Sequence, residues 1–289
     1  MVAVSGGVDS MVLLHVLAQK AELQLVVAHY DHGIRFDSGH DRALVAQAAA
    51  AYKLSFVYEE GNLGARASEA EARTRRYDFL RRAMKQHNAK GIITAHHQDD
   101  LLETMLLNMQ RGTHRRGLTS LQSSGEIIRP LLDVPKQDLL TYASQQRLQW
   151  REDSTNTDTR YRRNHIRQQL MPQLTPLRRE ALLRLHRQMK ATNAAIDAEL
   201  AALSHVHVAP NILNRYQFIM LPHIVAKEVM AHCLRANNAE DVDRVNLELL
   251  VARAKTARPR TRYDIDKQLV LEVDRRSLKI VPRSHRKSG

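Results

Sequence analysis

The chain has 289 residues, of which 43% are hydrophobic and only 4% aromatic, and it carries a formal net charge of +13. A chain of this length exceeds the usual size of one compact core, so we expect two units with mainly aliphatic interiors. The single cysteine, Cys233, excludes a disulfide framework, a CxxC redox pair and a cysteine-ligated metal cluster.

The positive charge is too large for ordinary surface scatter and predicts a polyanionic partner such as nucleic acid. A solubilising excess of charge is the alternative. No apolar run approaches the ~20 residues that span a bilayer. The first residues also lack a basic stretch followed by a long apolar one, so we expect a cytoplasmic protein that does not enter a membrane.

Residues 2–100 alternate short β-branched runs with amphipathic runs of helix length, a pattern typical of a parallel sheet with crossover helices. Ser68 and Glu71 have the spacing of a capping box at the start of the third helix. We therefore predict an α/β domain over residues 1–172. The predicted strands cover residues 2–4, 23–28, 54–58, 92–95 and 127–131, and the predicted helices cover 10–20, 39–53, 68–87 and 135–146.

The pattern changes after this domain. Residues 150–161 are rich in Ser, Thr, Asn and Asp and predict a loop. Helical spacing returns over residues 163–203, interrupted by prolines, and we assign residues 173–205 to a helical connector. Its apolar stripe consists of Leu182, Leu185, Met189, Ile196, Leu200 and Leu203.

Residues 206–289 predict a smaller α/β domain. Two short helices follow Pro210, and a terminal hairpin follows them. The alternating apolar positions of this hairpin are Leu269, Leu271 and Val273 on one strand and Leu278 and Ile280 on the next.

The segment SGGVDS, residues 5–10, follows a predicted strand and opens a predicted helix. Gly6 and Gly7 let the backbone approach an anion there, and the helix N-terminus points N–H groups at it. The segment lacks the ending of a P-loop NTPase and the spacing of a dinucleotide site, so we predict a different phosphate site, with a structural Gly-Gly turn as the alternative. Because a carboxylate beside phosphate needs a bridging cation, we expect Asp9 to help bind magnesium.

A second segment, ITAHHQDDLLET over residues 93–104, also lies at a strand-to-helix transition. His96, Asp99, Asp100 and Glu103 fall within two helical turns, and His96 and Asp100 can share a face. One acid in a first turn would merely complement the helix dipole. Several acids and histidines at the carboxyl end of a strand favour a functional site, because open α/β sheets bind ligands there.

Two arginines of the third predicted helix are candidates for contact with phosphate or developing charge. Arg73 lies on the apolar stripe of this helix, and Arg76 lies one turn further on. Either could instead bury its stem and leave its charged head at the surface.

Five segments in order resemble the tRNA(Ile)-lysidine synthetase family, whose nucleotide loop is the PP-loop of the ATP pyrophosphatases. They are SGGVDS, AHYDHGIR, EARTRRY, AHHQDDLLET with Arg111 and Gly112, and DSTNTDTRYRRNHIR, and they cover about residues 2–172. The resemblance implies an adenine nucleotide alpha hydrolase-like domain. It further implies that ATP adenylylates O2 of the wobble cytidine of tRNA(Ile) with a CAU anticodon. L-lysine then attacks C2, which releases AMP and yields lysidine.

The resemblance also implies roles for individual residues. ATP binding falls to Ser5, Gly6, Gly7, Val8, Asp9, Ser10 and His29, with His29 near the adenine or ribose. Asp9 and Asp100 are assigned to magnesium or the lysine ammonium, and His96 with Arg73 or Arg76 to charge stabilisation. Binding of lysine or tRNA is assigned to Asp99, Glu103, Arg111, Asn164 and Arg167, and the small domain over residues 206–289 to tRNA.

Recurrent basic clusters agree with an extended RNA partner, although each alone is more typical of a solvated face. A homodimer is possible, and the oligomeric state stays open. A tRNA thiolase is the main alternative, but thiolases usually need several cysteines and this chain has one. A relative that binds RNA without catalysis is the alternative from another class, and the intact phosphate loop and acids argue against it.

Overall fold

The computed structural model describes residues 1–33, 38–61, 64, 68–113, 115–123, 125–151, 162–203, 206–239 and 242–283. These residues form two units, Met1–Met189 and Lys190–Gly289. No helix in the described ranges is long and apolar enough to cross a membrane.

A parallel five-stranded sheet organises the first unit, as the alternation of strand and helix patterns predicts. Its order is β3-β2-β1-β4-β5, with β1 at the centre. Val2 of β1 pairs with Val27 on one side and Ile93 on the other. The strands are β1 Val2–Ala3, β2 Val26–Asp31, β3 Ser55–Glu60, β4 Ile92–Ile93 and β5 Ile127–Ile128.

The helices of this unit connect the strands. They are α1 Val8–Ala18, α2 Ser38–Ala51, α3 Glu69–Gln86, α4 Gln98–Gln110, α5 Lys136–Gln145 and α6 Arg162–His165, after which Ile166–Leu170 form a π-helical turn. The predicted cap of α3 is present, since the Glu71 N–H donates to Ser68 Oγ at 3.1 Å. The second strand begins at Val26 rather than at residue 23, because the Leu23 N–H bonds to Lys20 O in the turn that follows α1.

The core of the first unit lies on both faces of the sheet. Side chains of α1 and α2, such as Leu14 and Val45, pack on Val2 and Val27 in one cluster. Side chains of α3, including Leu80, pack with Ala28 and Ile92 in another. Helices on both faces force the chain to cross over after each strand, so the carboxyl ends of all the strands meet at one edge.

That edge contains a topological switch point. The chain leaves β1 towards β2 on one side, while β4 lies on the other side of β1. The segments that follow β1 and β4 therefore diverge and leave a crevice between them, which is where open α/β sheets bind ligands. Residues 5–10 and 94–100 are these two segments.

The second unit contains an antiparallel sheet of order β6-β7-β10-β9-β8. Its core includes Phe218, Met230 and Leu271, all buried. Three of its strands were not predicted, because runs of three or four residues are too short to display alternation. The elements are β6 His207–Ala209, β7 Ile212–Asn214, α8 Arg215–Met220, α9 His223–Ala236, α10 Arg244–Thr256, β8 Thr261–Asp264, β9 Leu269–Val273 and β10 Ser277–Pro282.

The predicted connector contains one helix, α7 Pro176–Ala202. Its apolar stripe belongs to two cores: Leu182 and Leu185 pack in the first unit. Ile196 and Leu200 pack in the second. The assignment of residues 173–205 to a separate connector stays a prediction.

Candidate active site

The loop over residues 5–10, here called the glycine loop, has a fixed shape. Gly6 has a φ of +95°, which side-chain-bearing residues rarely adopt. Ser10 is buried, and its Oγ accepts from the N–H groups of Ser5 and Gly6 at 3.2 Å and donates to Gly7 O at 2.8 Å. The Ser10 hydroxyl thus bonds to three backbone groups of the turn and stabilises its conformation.

The glycine loop leads directly into α1. Gly7 is the N-cap residue of this helix and has an extended backbone, and it has no side chain to cap the N–H groups of the first turn. The N–H groups at such a helix start have no partner within the helix, and together with the helix dipole they favour an anion. Asp9 lies in the same first turn, so an acid stands beside the anion site.

The segment that follows β4 is organised by His97. Its ring Nδ1 accepts from the backbone N–H of Asp99 at 3.2 Å, and the backbone N–H of His97 donates to Asp100 Oδ2 at 3.0 Å. Its Nε2 lies 3.5 Å from both Asp9 Oδ2 and Asp100 Oδ2. Sequence reasoning gave His97 no separate role, yet this buried side chain connects the acids of both segments.

A cavity of about 420 Å³ lies between these segments and the end of β2. Eight of the residues predicted for the site line this cavity, whereas Gly6, Val8, Arg73, Asp99, Glu103, Arg111, Asn164 and Arg167 do not. The eight are Ser5, Gly7, Asp9, Ser10, His29, Arg76, His96 and Asp100.

Cations neutralise the acids of the two segments. Lys136 Nζ donates to Asp9 Oδ1 at 2.6 Å, and Arg163 Nη2 donates to Asp100 Oδ1 at 3.0 Å. Burial alone would raise the pKa of Asp100, but His97 and Arg163 outweigh it and hold this pKa below its usual value. Contacts with His97 and Lys136 likewise lower the pKa of Asp9 against the effect of burial. Both carboxylates are therefore ionised near neutral pH.

Glu103 and Asp99 engage arginines away from the cavity. Glu103 is 2% exposed, and its carboxylate accepts from Arg163 Nε at 3.0 Å and from Arg167 Nε at 2.6 Å. Asp99 pairs with Arg179. Two residues assigned separately to substrate, Glu103 and Arg167, thus bind each other.

His96 lines the cavity as a neutral imidazole. Burial lowers the pKa of His96 to about 3, and nearby guanidinium groups, Arg76 among them, act in the same direction against the charge of Asp100. Its Nδ1 lies 2.8 Å from Thr94 Oγ1. Near neutral pH this side chain can offer a hydrogen bond but not a positive charge.

The structure distinguishes the two candidate arginines. Arg76 lines the cavity, and its Nε is buried without a hydrogen-bond partner among the described residues. Burial lowers the pKa of Arg76, as expected for a cation with limited access to water. Arg73 is exposed, with its guanidinium 4.9 Å from the centre of the Tyr77 ring.

His29 is buried at the carboxyl half of β2. Its ring Nδ1 lies 2.9 Å from Val4 O, and its Nε2 has no partner in the described part of the chain. Burial lowers the pKa of His29, so the ring is neutral. A neutral ring with one free nitrogen at the cavity wall fits a hydrogen bond to a base or ribose.

The remaining predicted residues occupy other surroundings. Val8 packs against Leu139 of α5 in a buried cluster. Arg111 is exposed at the end of α4, and Asn164 is half-buried in α6. Sequence reasoning missed Lys136, Asp41 and Arg151. Each forms an ion pair with a residue far away in the sequence, and such a pair produces no recognisable local spacing of residues.

The two acids nearest the glycine loop have the donor atoms that magnesium prefers. Lys136 and Arg163 engage the Oδ1 atoms, whereas both Oδ2 atoms face His97 Nε2. In the described residues, no group of three or more His, Cys, Asp or Glu could hold a metal ion by itself. Magnesium usually takes only one or two carboxylates and completes its shell with phosphate and water, so these residues fit a site shared with a nucleotide.

Comparisons with known proteins agree with this geometry. A family model described as a PP-loop domain matches residues 1–174. A tRNA(Ile)-lysidine synthase of Enterococcus faecalis is 42% identical over 184 residues, which are 60% of this chain and 40% of the relative. That of Thermosipho africanus is 31% identical over 264 residues, 86% of this chain and 62% of the relative. The chain thus spans about half the length of these relatives.

A solved structure supports the fold. The U34-tRNA thiolase of Methanococcus maripaludis aligns with a TM-score of 0.56 at 16% identity, over 66% of this chain and 71% of that chain. The family model covers more than half of the sequence and includes the glycine loop, the segment after β4 and the cavity between them. This chain therefore belongs to the PP-loop domain family.

Proposed function

We propose that this chain ligates L-lysine to C2 of the wobble cytidine, position 34, of tRNA(Ile) with a CAU anticodon, and that ATP is cleaved to AMP and pyrophosphate. The observation that carries the proposal is the cavity between the glycine loop and the segment after β4. It combines an anion site with ionised acids and an arginine whose Nε is buried, in a chain whose relatives are named tRNA(Ile)-lysidine synthases.

In this proposal the glycine loop binds the phosphates of ATP. The N–H groups in the first turn of α1 would donate to the phosphates, and Ser10 keeps the loop in shape. Asp9 and Asp100 would hold Mg²⁺, which neutralises phosphate charge and assists departure of pyrophosphate. His29 would contact the adenosine. The guanidinium of Arg76, rather than that of Arg73, would stabilise charge on the adenylated base or the phosphate.

The second step needs an amine nucleophile. The ionised carboxylates of Asp9 and Asp100 can attract the lysine ammonium, and a neutral imidazole such as His96 can accept a hydrogen bond before attack at C2. Asp99, Glu103, Arg111, Asn164 and Arg167 remain proposed contacts to lysine or tRNA. For Glu103 and Arg167 such contacts would require their mutual ion pair to open.

The tRNA partner is proposed from charge. Exposed arginines on α7, including Arg178, Arg184 and Arg187, add to the net charge of +13. Arg160, which belongs to another basic cluster of the sequence, lies outside the described residues. A cytoplasmic location follows from a tRNA substrate, and a homodimer is the oligomeric form to test.

A sulfur-transfer reaction is less favoured. Cys233 is buried in the second unit, and burial raises the pKa of its thiol to about 11. Such a thiol is protonated near neutral pH and is a poor nucleophile. The chain has no second cysteine to form a relay.

The test incubates the protein with ATP, magnesium, labelled lysine and tRNA(Ile) that carries a CAU anticodon. We expect label in the RNA together with AMP and pyrophosphate. The same tRNA with uridine at position 34 is the control and should stay unlabelled, and Asp100→Asn should abolish labelling while RNA retention persists. ATP cleavage without incorporation of lysine would refute the amine assignment.

A further inference from the structure

Arg151, which follows α5 in sequence, is joined to the glycine loop through its backbone. Its N–H donates to Gly6 O at 3.0 Å. Gly6 O belongs to the residue whose φ of +95° defines the turn, so this bond fixes the most constrained peptide of the loop. A bond from backbone to backbone survives any change of the Arg151 side chain except proline.

The side chain of Arg151 reaches a second element beside the same loop. Its Nε lies 2.8 Å from Asp41 Oδ1, in the first turn of α2. Asp41 is buried and lines the cavity together with Ser5 and Ser10. A Cβ atom on Gly6 would lie 3.3 Å from Asp41 Cβ, so the acid packs directly against the turn.

Asp41 creates an electrostatic problem for a phosphate site. A buried carboxylate that faces the same cavity would repel an anion unless a cation offsets its charge. Asp9 and Asp100 meet the same requirement with Lys136 and Arg163. Beside Asp41 lies the guanidinium of Arg151, which also lines the cavity.

We propose that Arg151 is a positioning residue of the nucleotide site, whose guanidinium offsets the charge of Asp41 so that phosphate can enter beside the glycine loop. Its role is exerted through Asp41 and Gly6. The inference rests on the proposed function only in taking ATP as the source of the phosphate, and it assigns to Arg151 and Asp41 a shared control of phosphate affinity.

The test measures displacement of a fluorescent ATP analogue by ATP, AMP and adenosine, with magnesium present and without tRNA or lysine. For Arg151→Met we expect the affinity for ATP to fall about tenfold, the effect of removing one positive charge close to phosphate, while the affinity for adenosine is unchanged. The loss should grow with the number of phosphates. Adding Asp41→Asn to Arg151→Met should restore the affinity for ATP to within about threefold of the wild type, because Asp41 and Arg151 are in contact and their effects are coupled.

Two further variants control for charge and folding. Arg147→Met makes the same change in net charge at an exposed residue of the same segment and should leave the affinity for ATP unaltered. Arg151→Lys keeps both the charge and the backbone N–H, and should bind ATP nearly as well as the wild type. Circular dichroism identifies the variants that are folded. If Arg151→Met is poorly folded, the affinities of Arg151→Lys and of the double variant with Asp41→Asn are used instead.

Equal losses for ATP and adenosine in Arg151→Met, or a double variant no better than the single one, would overturn the inference. So would wild-type affinity for ATP in folded Arg151→Met. If the wild-type protein binds ATP but forms no lysidine, the proposed ligation is refuted, but the inference about Arg151 is not. Failure of the wild-type protein to bind ATP would overturn both.

Discussion

Replacing Gly6 by alanine should destabilise the first unit and disable its anion site. The φ of +95° strains any residue with a Cβ atom, and that atom would lie 3.3 Å from Asp41 Cβ. Strain at one such residue costs on the order of 1–3 kcal/mol. Since the neighbour is the buried Cβ of a helix residue rather than the end of a flexible chain, we expect a loss of about 2 kcal/mol in the free energy of unfolding.

Urea unfolding followed by tryptophan emission measures this loss. The chain has one tryptophan, Trp150, and it packs against the core of the first unit, so its emission reports that unit. Gly39→Ala is the matched control: Gly39 lies in α2, a Cβ there would meet nothing within 4 Å, and the change should be neutral or stabilise by up to ~1 kcal/mol. An unfolding midpoint for Gly6→Ala equal to that of the wild type would refute the role of the left-handed turn.

Two more predictions concern buried charge. Glu103→Ala removes a buried carboxylate that contacts both Arg163 and Arg167, while Asp100 remains beside them. Because both arginines are partly exposed and keep Asp100 nearby, we expect a loss of about 2–3 kcal/mol in the same urea assay; a loss under ~1 kcal/mol would show that water replaces the ion pairs with Glu103. Burial lowers the pKa of His96 in the folded protein to about 3 from its usual 6.5, so folding favours the neutral imidazole. The unfolded chain therefore binds a proton that the folded protein does not, and the free energy of unfolding decreases as the pH falls from about 6.5 towards 3. His96→Gln should remove up to about 1.4 kcal/mol per pH unit from that slope. An unchanged dependence of unfolding on pH would place His96 in contact with water.

The location of the site could be predicted because its signals are local. A strand, two glycines and a helix are adjacent in SGGVDS, and a second strand-to-helix transition contains His96 and Asp100. The parallel sheet then brings both segments to one edge. The family resemblance is confirmed for the PP-loop domain.

The partners of the site acids could not be predicted in the same way. Lys136 lies 127 residues from Asp9, and Arg163 lies 63 residues from Asp100. Each looks like a solvated surface charge in its own segment, because an ion pair between distant segments depends on tertiary packing. For the same reason the resemblance that assigned Glu103 to lysine or tRNA gave no sign of its contacts with Arg163 and Arg167.

The central position of β1 has a consequence for the order of folding. Its two residues pair with strands that begin at Val26 and Ile92, so β1 acquires its second neighbour only after translation has passed residue 92. Contacts between residues far apart in sequence form late, because closing long loops costs entropy before the pairing offsets it. The nascent chain should therefore gain nucleotide affinity in one late step. Translation arrested before residue 92 should give chains that contain SGGVDS and do not retain ATP.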